Sequence, residues 1–148
     1  MDKIIPRWEW RTFGSRFGIS EEKIQNHKLA NFKRSTEKYI LSRKSGDNCK
    51  IRDDLMDIKR LKQINGDKLE QWCAVLKTSF PMRKESIETL FRDFFNADIP
   101  AFTRESYTYE QYLEEVVASC EDLEIVDVYK EQSIYVINLA IVESADGW

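Results

Sequence analysis

The chain has 148 residues with a net charge of −3, of which 42% are hydrophobic and 12% aromatic. This length predicts one domain, and the aromatic content excludes a disordered chain. No apolar run approaches the ~20 residues that a membrane helix needs, and the first residues lack the apolar core of a signal peptide. We therefore expect a cytoplasmic protein without a membrane partner, whose three cysteines are free or buried thiols.

The charges are divided unevenly along the chain. Residues 1–84 carry 20 Lys and Arg against 11 Asp and Glu, a net charge of +9, whereas residues 85–148 carry 3 against 15, a net charge of −12. Such a division predicts an electrostatic potential that is positive around the first part of the chain and negative around the second. Two interpretations stay open at this point: either the two halves attract each other, or the basic half binds an anion.

The first predicted elements are a strand and a helix. Residues 6–13 alternate polar and apolar residues with the period of a strand. Ser20 precedes acidic residues as a helix N-cap does, which predicts a helix over 21–32. Residues 36–43 indicate a second strand, and a turn is predicted over 45–48.

Two further turns separate the next strands. Asp53–Asp54 interrupts two runs of β character, 49–52 and 55–64, which predicts a hairpin with a tight connection. The Asn65–Gly66 pair is a turn signal ahead of a strand over 69–80.

Helical periodicity follows. A stripe of apolar residues three and four apart predicts a helix over about 84–96, and Thr108 is placed to cap a second helix over 108–118. Strands are predicted over 123–130 and 133–142, and 144–148 resembles a turn.

This order of elements predicts a single α+β domain over 1–148. Its sheet should be mostly antiparallel, because the links between its seven strands are short, and about three helices should flank it. We expect the sheet to curl into a tunnel-like barrel.

Basic residues recur at matching positions on several predicted strands. They are Arg7 and Arg11 on the first strand, Lys50 and Arg52 on the third, Lys59 on the fourth and Lys77 on the fifth, with Glu9 and Asp57 between them. If these faces line the inside of a curled sheet, they would hold a polyanion, since crowded like charges require a counter-ion. Lysine and arginine on the solvent face of ordinary strands are the open alternative.

The sequence resembles the CYTH, or triphosphate tunnel, superfamily. The similarity lies in R-W-E-W-R over 7–11, K-Y-I-L-S over 38–42, N-x-K-I-R-D-D-L-M-D-I-K over 48–59 and L-E-Q-W over 69–72. Members fold into an antiparallel tunnel whose basic side chains bind a triphosphate and whose glutamates hold divalent metal. This chain ends where another strand of the tunnel is expected, so the resemblance implies an incomplete tunnel in a chain shortened at its carboxyl end. It also implies a metal-dependent triphosphatase or polyphosphatase that uses Mg²⁺ or Mn²⁺.

The resemblance also implies roles for individual residues. Phosphate ligands would be Arg7, Arg11, Lys50, Arg52, Lys59, Lys77 and Lys130, and metal ligands would be Glu9 and Asp57. The family opens with Glu-x-Glu-x-Lys, whereas this chain has Arg7, Glu9 and Arg11 at those positions. The change from a carboxylate to a cation at Arg7 moves the site from metal binding towards anion binding.

Two functions therefore stay open. The chain binds and hydrolyses a triphosphate or polyphosphate, or it is a regulatory module that binds such an anion without turnover. A long nucleic acid fits poorly because the acidic half would repel it, and an unpaired sheet edge would favour a homodimer.

Overall fold

The computed structural model describes residues 7–14, 17–138 and 140–147. The predicted class is confirmed: the protein is α+β, with an antiparallel sheet of seven strands and three helices in its described part. The strands are β1 (Arg7–Glu9), β2 (Leu29–Ser42), β3 (Asn48–Arg52), β4 (Leu55–Ile64), β5 (Glu70–Ser79), β6 (Met82–Arg83), β7 (Ser106–Tyr107), β8 (Leu123–Ile137) and β9 (Ala140–Gly147). The helices are α1 (Ile19–Gln25), α2 (Lys84–Leu90) and α3 (Tyr109–Gln111).

The strands of the main sheet follow the order β1-β5-β4-β3-β2-β8-β9, and β6 pairs with β7 in a separate ribbon. Within the described residues β1 and β9 are the two edges of this order. Among the described residues no pairing joins β1 to β9.

The chain divides into two compact units. The first contains β1, β3 to β7, α2, α3 and the adjoining parts of β2 and β8. The second contains α1, the remaining parts of β2 and β8, and β9. A single domain over 1–148 remains a prediction.

The first unit is built on two hairpins that the sequence predicts. Asp53 and Asp54 connect β3 to β4 with φ angles of 51° and 59°. Positive φ at both central residues is typical of a type I′ turn, whose twist matches that of the strands it joins. The predicted Asn65–Gly66 turn also leads into β5, where Asn65 Oδ1 accepts hydrogen bonds from the backbone amides of Asp67 and Leu69 at 3.0 and 2.9 Å.

The hydrophobic core lies between one face of this sheet and the helices. The sheet contributes Ile40, Cys49, Ile51, Met56 and Ile58, each at most 3% exposed. The helical segments contribute Ile87, Leu90, Phe91, Phe95, Tyr112, Val116 and Val117. These residues form the apolar stripes that the helical periodicity predicts, so the covering of this face follows from the sequence.

Both core helices end in wider turns. α2 continues as a π-helical turn over Phe91–Phe95, and α3 continues as another over Tyr112–Val117. The predicted cap at Thr108 is confirmed, because its side chain accepts a hydrogen bond from the Gln111 amide while the Gln111 side chain accepts one from the Thr108 amide. None of the described helices is long and apolar enough to span a membrane.

Several predicted boundaries are wrong. The first helix ends at Gln25, and residues 29–32 belong to β2. Ser20 lies within this helix, whose N-cap position is held by Gly18. The apolar stripe of the predicted helix was thin, and pairing in the sheet outweighs so weak a local preference.

The carboxyl-terminal strands also differ from the prediction. The predicted strands over 123–130 and 133–142 are replaced by one long strand, β8, and a reversal at Asn138, where φ is 48°. Residues predicted as a turn form the second half of β9. The sequence of β9 has few β-branched residues and so gives a weak local signal for a strand. The hydrogen bonds with β8 make these residues extended.

The hairpin between β3 and β4 can be tested at its turn. We expect Asp54→Val to lower the free energy of unfolding by about 1–2 kcal/mol relative to Asp54→Gly, because a β-branched residue is strained at positive φ and glycine is not. Urea unfolding of the two variants measures this difference. Equal stability of the valine and glycine variants would contradict the turn geometry.

Candidate anion-binding site

Three charged side chains form a row across neighbouring strands of the first unit. Lys50 on β3 is the register partner of Asp57 on β4, and Asp57 is the register partner of Lys77 on β5. Residues directly opposite each other share one face of a sheet, and adjacent strands lie about 5 Å apart. The row therefore places one acidic residue between two lysines.

Two more cations extend this row along the strands. Arg52 lies two residues after Lys50, and Lys59 lies two residues after Asp57, so strand alternation places both on the same face as the row. We call Lys50, Arg52, Asp57, Lys59 and Lys77 the charged face.

The charged face is opposite the hydrophobic core. The residues that alternate with it on β3 and β4 are Cys49, Ile51, Met56 and Ile58, and all of them are buried. Because the helices cover that side of the sheet, the cations are left on its other side. Arg52, Lys59 and Lys77 are exposed, whereas Lys50 is half-buried.

Asp57 has the most unusual environment of this group. Its Oδ1 atom is buried and has no hydrogen-bond partner within the described part of the chain. Burial raises the pKa of the Cys49 thiol to about 12, and the negative charge of Asp57 adds to that rise. The Cys49 thiol is therefore protonated and unreactive at neutral pH, as expected of a buried cysteine.

The predicted metal ligand Glu9 lies elsewhere on the sheet. Glu9 is the register partner of Glu70, whereas Asp57 is the register partner of Lys77. Seven residues of β5 separate those two positions, which corresponds to about 20 Å along a strand. The structure therefore does not bring Glu9 and Asp57 together.

A divalent ion held jointly by Glu9 and Asp57 does not fit this arrangement. Glu9 instead faces Glu70, whose Oε2 atom accepts a 2.7 Å hydrogen bond from Trp72 Nε1. In the described ranges, no three His, Cys, Asp or Glu side chains form a group that could hold a metal ion.

The other predicted phosphate ligands are distributed along the chain. The backbone of Arg7 pairs with that of Trp72. Arg11 and Lys130 belong to the second unit, where Arg11 is exposed after the end of β1. The register of the first unit thus joins four of the seven predicted cations: Lys50, Arg52, Lys59 and Lys77.

Lys130 has a partner within its own unit. Its Nζ atom lies 4.0 Å from Oε2 of Glu37, a carboxylate that is only 1% exposed. The other carboxylate oxygen, Oε1, accepts a 3.2 Å hydrogen bond from Ser35 Oγ. A buried carboxylate needs such partners to offset its desolvation, so Lys130 stabilises the second unit.

Sequence reasoning missed one residue of the row. Tyr39 on β2 is the register partner of Lys50, so its half-buried side chain continues the row by one strand. The predicted strand over 36–43 contains this tyrosine, but its register against β3 is a tertiary feature. No spacing within the sequence would have aligned it with Lys50.

Comparisons with known proteins add no relative: no family model, no curated protein and no solved structure matches the chain. The resemblance to the CYTH superfamily therefore stays a prediction that depends on the residues quoted above.

The role of Lys130 can be tested by stability. We expect Lys130→Ala to lower the free energy of unfolding by about 1–3 kcal/mol, because the buried carboxylate of Glu37 then loses one of its partners. Lys33→Ala, at an exposed position of β2, is the matched control and should change stability little. Denaturant unfolding gives both values, and equal stability of the two variants would remove Lys130 from this role.

Proposed function

We propose that the protein binds a short phosphate chain, such as a triphosphate or polyphosphate, on its charged face. The observation that carries this proposal is the register of Lys50, Asp57 and Lys77 across three adjacent strands. With Arg52 and Lys59 beside this row, the charged face holds four cations and one carboxylate. An anion with several charges complements that composition better than a single phosphate does.

The dimensions of the charged face favour an extended anion. Lys50 and Lys77 are two strands apart, so their Cα atoms are separated by about 10 Å. Lysine side chains are long and flexible, which allows both ammonium groups to contact successive phosphates of one chain. Arg52 adds a planar guanidinium that can donate two parallel hydrogen bonds to one phosphate.

Asp57 acts against the anion in this proposal. Its negative charge lies between the two lysines, where it moderates their repulsion in the free protein and repels a phosphate in the complex. Its presence limits the affinity and disfavours anions of low charge. A ligand with three or more charges gains enough from the four cations to outweigh one carboxylate.

The lysines of the row give the first test. We expect the double variant Lys50→Gln/Lys77→Gln to bind tripolyphosphate about a hundredfold more weakly, since each lysine contributes a charge-assisted contact worth roughly tenfold. Isothermal titration calorimetry in a chelator measures the affinity, and the affinity of the native chain should fall with added salt.

A matched control removes charge from the other side of the sheet. Arg92 is exposed on the π-helical turn that follows α2, so Arg92→Gln lowers the net charge without touching the charged face. We expect this variant to bind like the native chain, and Arg52→Gln to bind about tenfold more weakly. Equal losses in both variants would show unspecific attraction and contradict the proposed site.

Asp57 gives a second test with the opposite sign. We expect Asp57→Asn to bind tripolyphosphate several-fold more tightly, because the amide keeps the shape of the side chain and removes its negative charge. Calorimetry with the chelator present measures the change. Weaker binding by the asparagine variant would contradict the proposed arrangement of ligand and carboxylate.

Hydrolysis is tested separately from binding. Phosphate release from tripolyphosphate, measured with and without Mg²⁺ or Mn²⁺, distinguishes an enzyme from a binding module. Salt-sensitive binding without release supports the module, and metal-dependent release of phosphate supports the triphosphatase. Absence of any binding by the native chain overturns both.

A further inference from the structure

The edge of the sheet formed by β9 is unlike the edge formed by β1. β1 has three residues, whereas β9 has eight. Within the described residues β9 has one strand neighbour, β8, so its other side presents backbone donors and acceptors. An edge of this kind is a template for another strand.

β9 also lacks the features by which edge strands avoid association. It contains no lysine, arginine or proline. Its register with β8 runs through eight consecutive pairs without a shift, whereas the register between β4 and β5 has two shifts. Bulges and basic side chains protect edges by twisting them or by making burial costly, so β9 is a regular and unprotected edge.

The hairpin of β8 and β9 carries an exposed apolar pair. Ile141 is 63% exposed and its register partner on β8, Val136, is 60% exposed. Apolar exposure on a regular edge strand marks an association site.

We propose that β9 pairs with β9 of a second copy of this chain, in antiparallel orientation about a twofold axis. Such an axis is perpendicular to the sheet, so equivalent faces of the two copies lie on the same side. The two sheets then form one continuous sheet. The contact is isologous, and therefore closes at a dimer.

Strand length and charge together select the position of the axis, because only an axis at Glu143 or at Ser144 leaves seven of the eight residues of β9 paired. An axis at Glu143 would set the two Glu143 carboxylates directly opposite each other, which destabilises a strand pair. An axis at Ser144 instead sets the two serines opposite each other and places Glu143 opposite Ala145 of the second copy. The register centred on Ser144 thus avoids opposed like charges and supplies a hydroxyl pair that can form a hydrogen bond.

The test compares a substitution at Ser144, on the proposed axis, with a matched control at Ser133 on the neighbouring strand β8. Ser144 and Ser133 are register partners on β9 and β8, and both are half-buried. Ser144→Lys sets two ammonium groups opposite each other in the dimer, whereas Ser133→Lys adds the same charge away from the edge. Circular dichroism and thermal unfolding show whether each variant keeps the native fold.

Sedimentation velocity over about 1–500 μM gives the dissociation constant of the dimer. We expect a dimer for the native chain, several-fold weaker association for Ser144→Lys and unchanged association for Ser133→Lys. A native chain that is monomeric throughout overturns the proposal and leaves the edge to a strand of another protein. A dimer that Ser144→Lys does not weaken, or that both variants weaken equally, also overturns it.

Discussion

The register between β3 and β4 is the constraint on which the rest of the first unit depends. A two-residue turn at Asp53 and Asp54 fixes this register because both residues adopt positive φ. Side chains alternate along each strand, so this one register sends Ile51 and Met56 into the core and Lys50 and Asp57 to the opposite face. A slip by one residue would bury the charges and expose the core, and its free-energy cost makes the arrangement unique.

The same register explains why the charged face tolerates several cations without a ligand. Three of its four cations are exposed, and two charges 4 Å apart interact by only about 1 kcal/mol in water. Repulsion between them is therefore weak, and relief of crowding is not the source of affinity for an anion. The source is preorganisation: strand pairing holds the backbone of each lysine in place before the anion arrives, so less conformational entropy is lost on binding.

Local signals made much of this fold predictable. The Asp53–Asp54 turn, the Thr108 cap and the apolar stripes of the helices all depend on residues close in sequence, and the structure confirms them. Residues 29–35 of β2 and 144–147 of β9 were missed because pairing with another strand, rather than local preference, makes those residues extended. For the site, the alternation of side chains along β3 was enough to predict that Lys50 and Arg52 share one face. Only the register between strands could show that Asp57 lies between two lysines and that Glu9 is far from it.

β5 and β9 differ in the features that oppose association with a further strand, although β5 is an interior strand that already pairs with β1 and β4. On β5, where Lys77 contributes to the proposed ligand site, the register shifts against β4, and an exposed ammonium group is costly to bury beside another strand. On β9 neither feature is present, and Ile141 is 63% exposed. A lysine that serves a polyanion therefore also opposes association of its own strand, whereas the proposed axis at Ser144 sets Glu143 opposite Ala145 rather than opposite a second carboxylate. The charge that favours ligand binding on one strand is thus absent from the strand that is proposed to pair with a second copy.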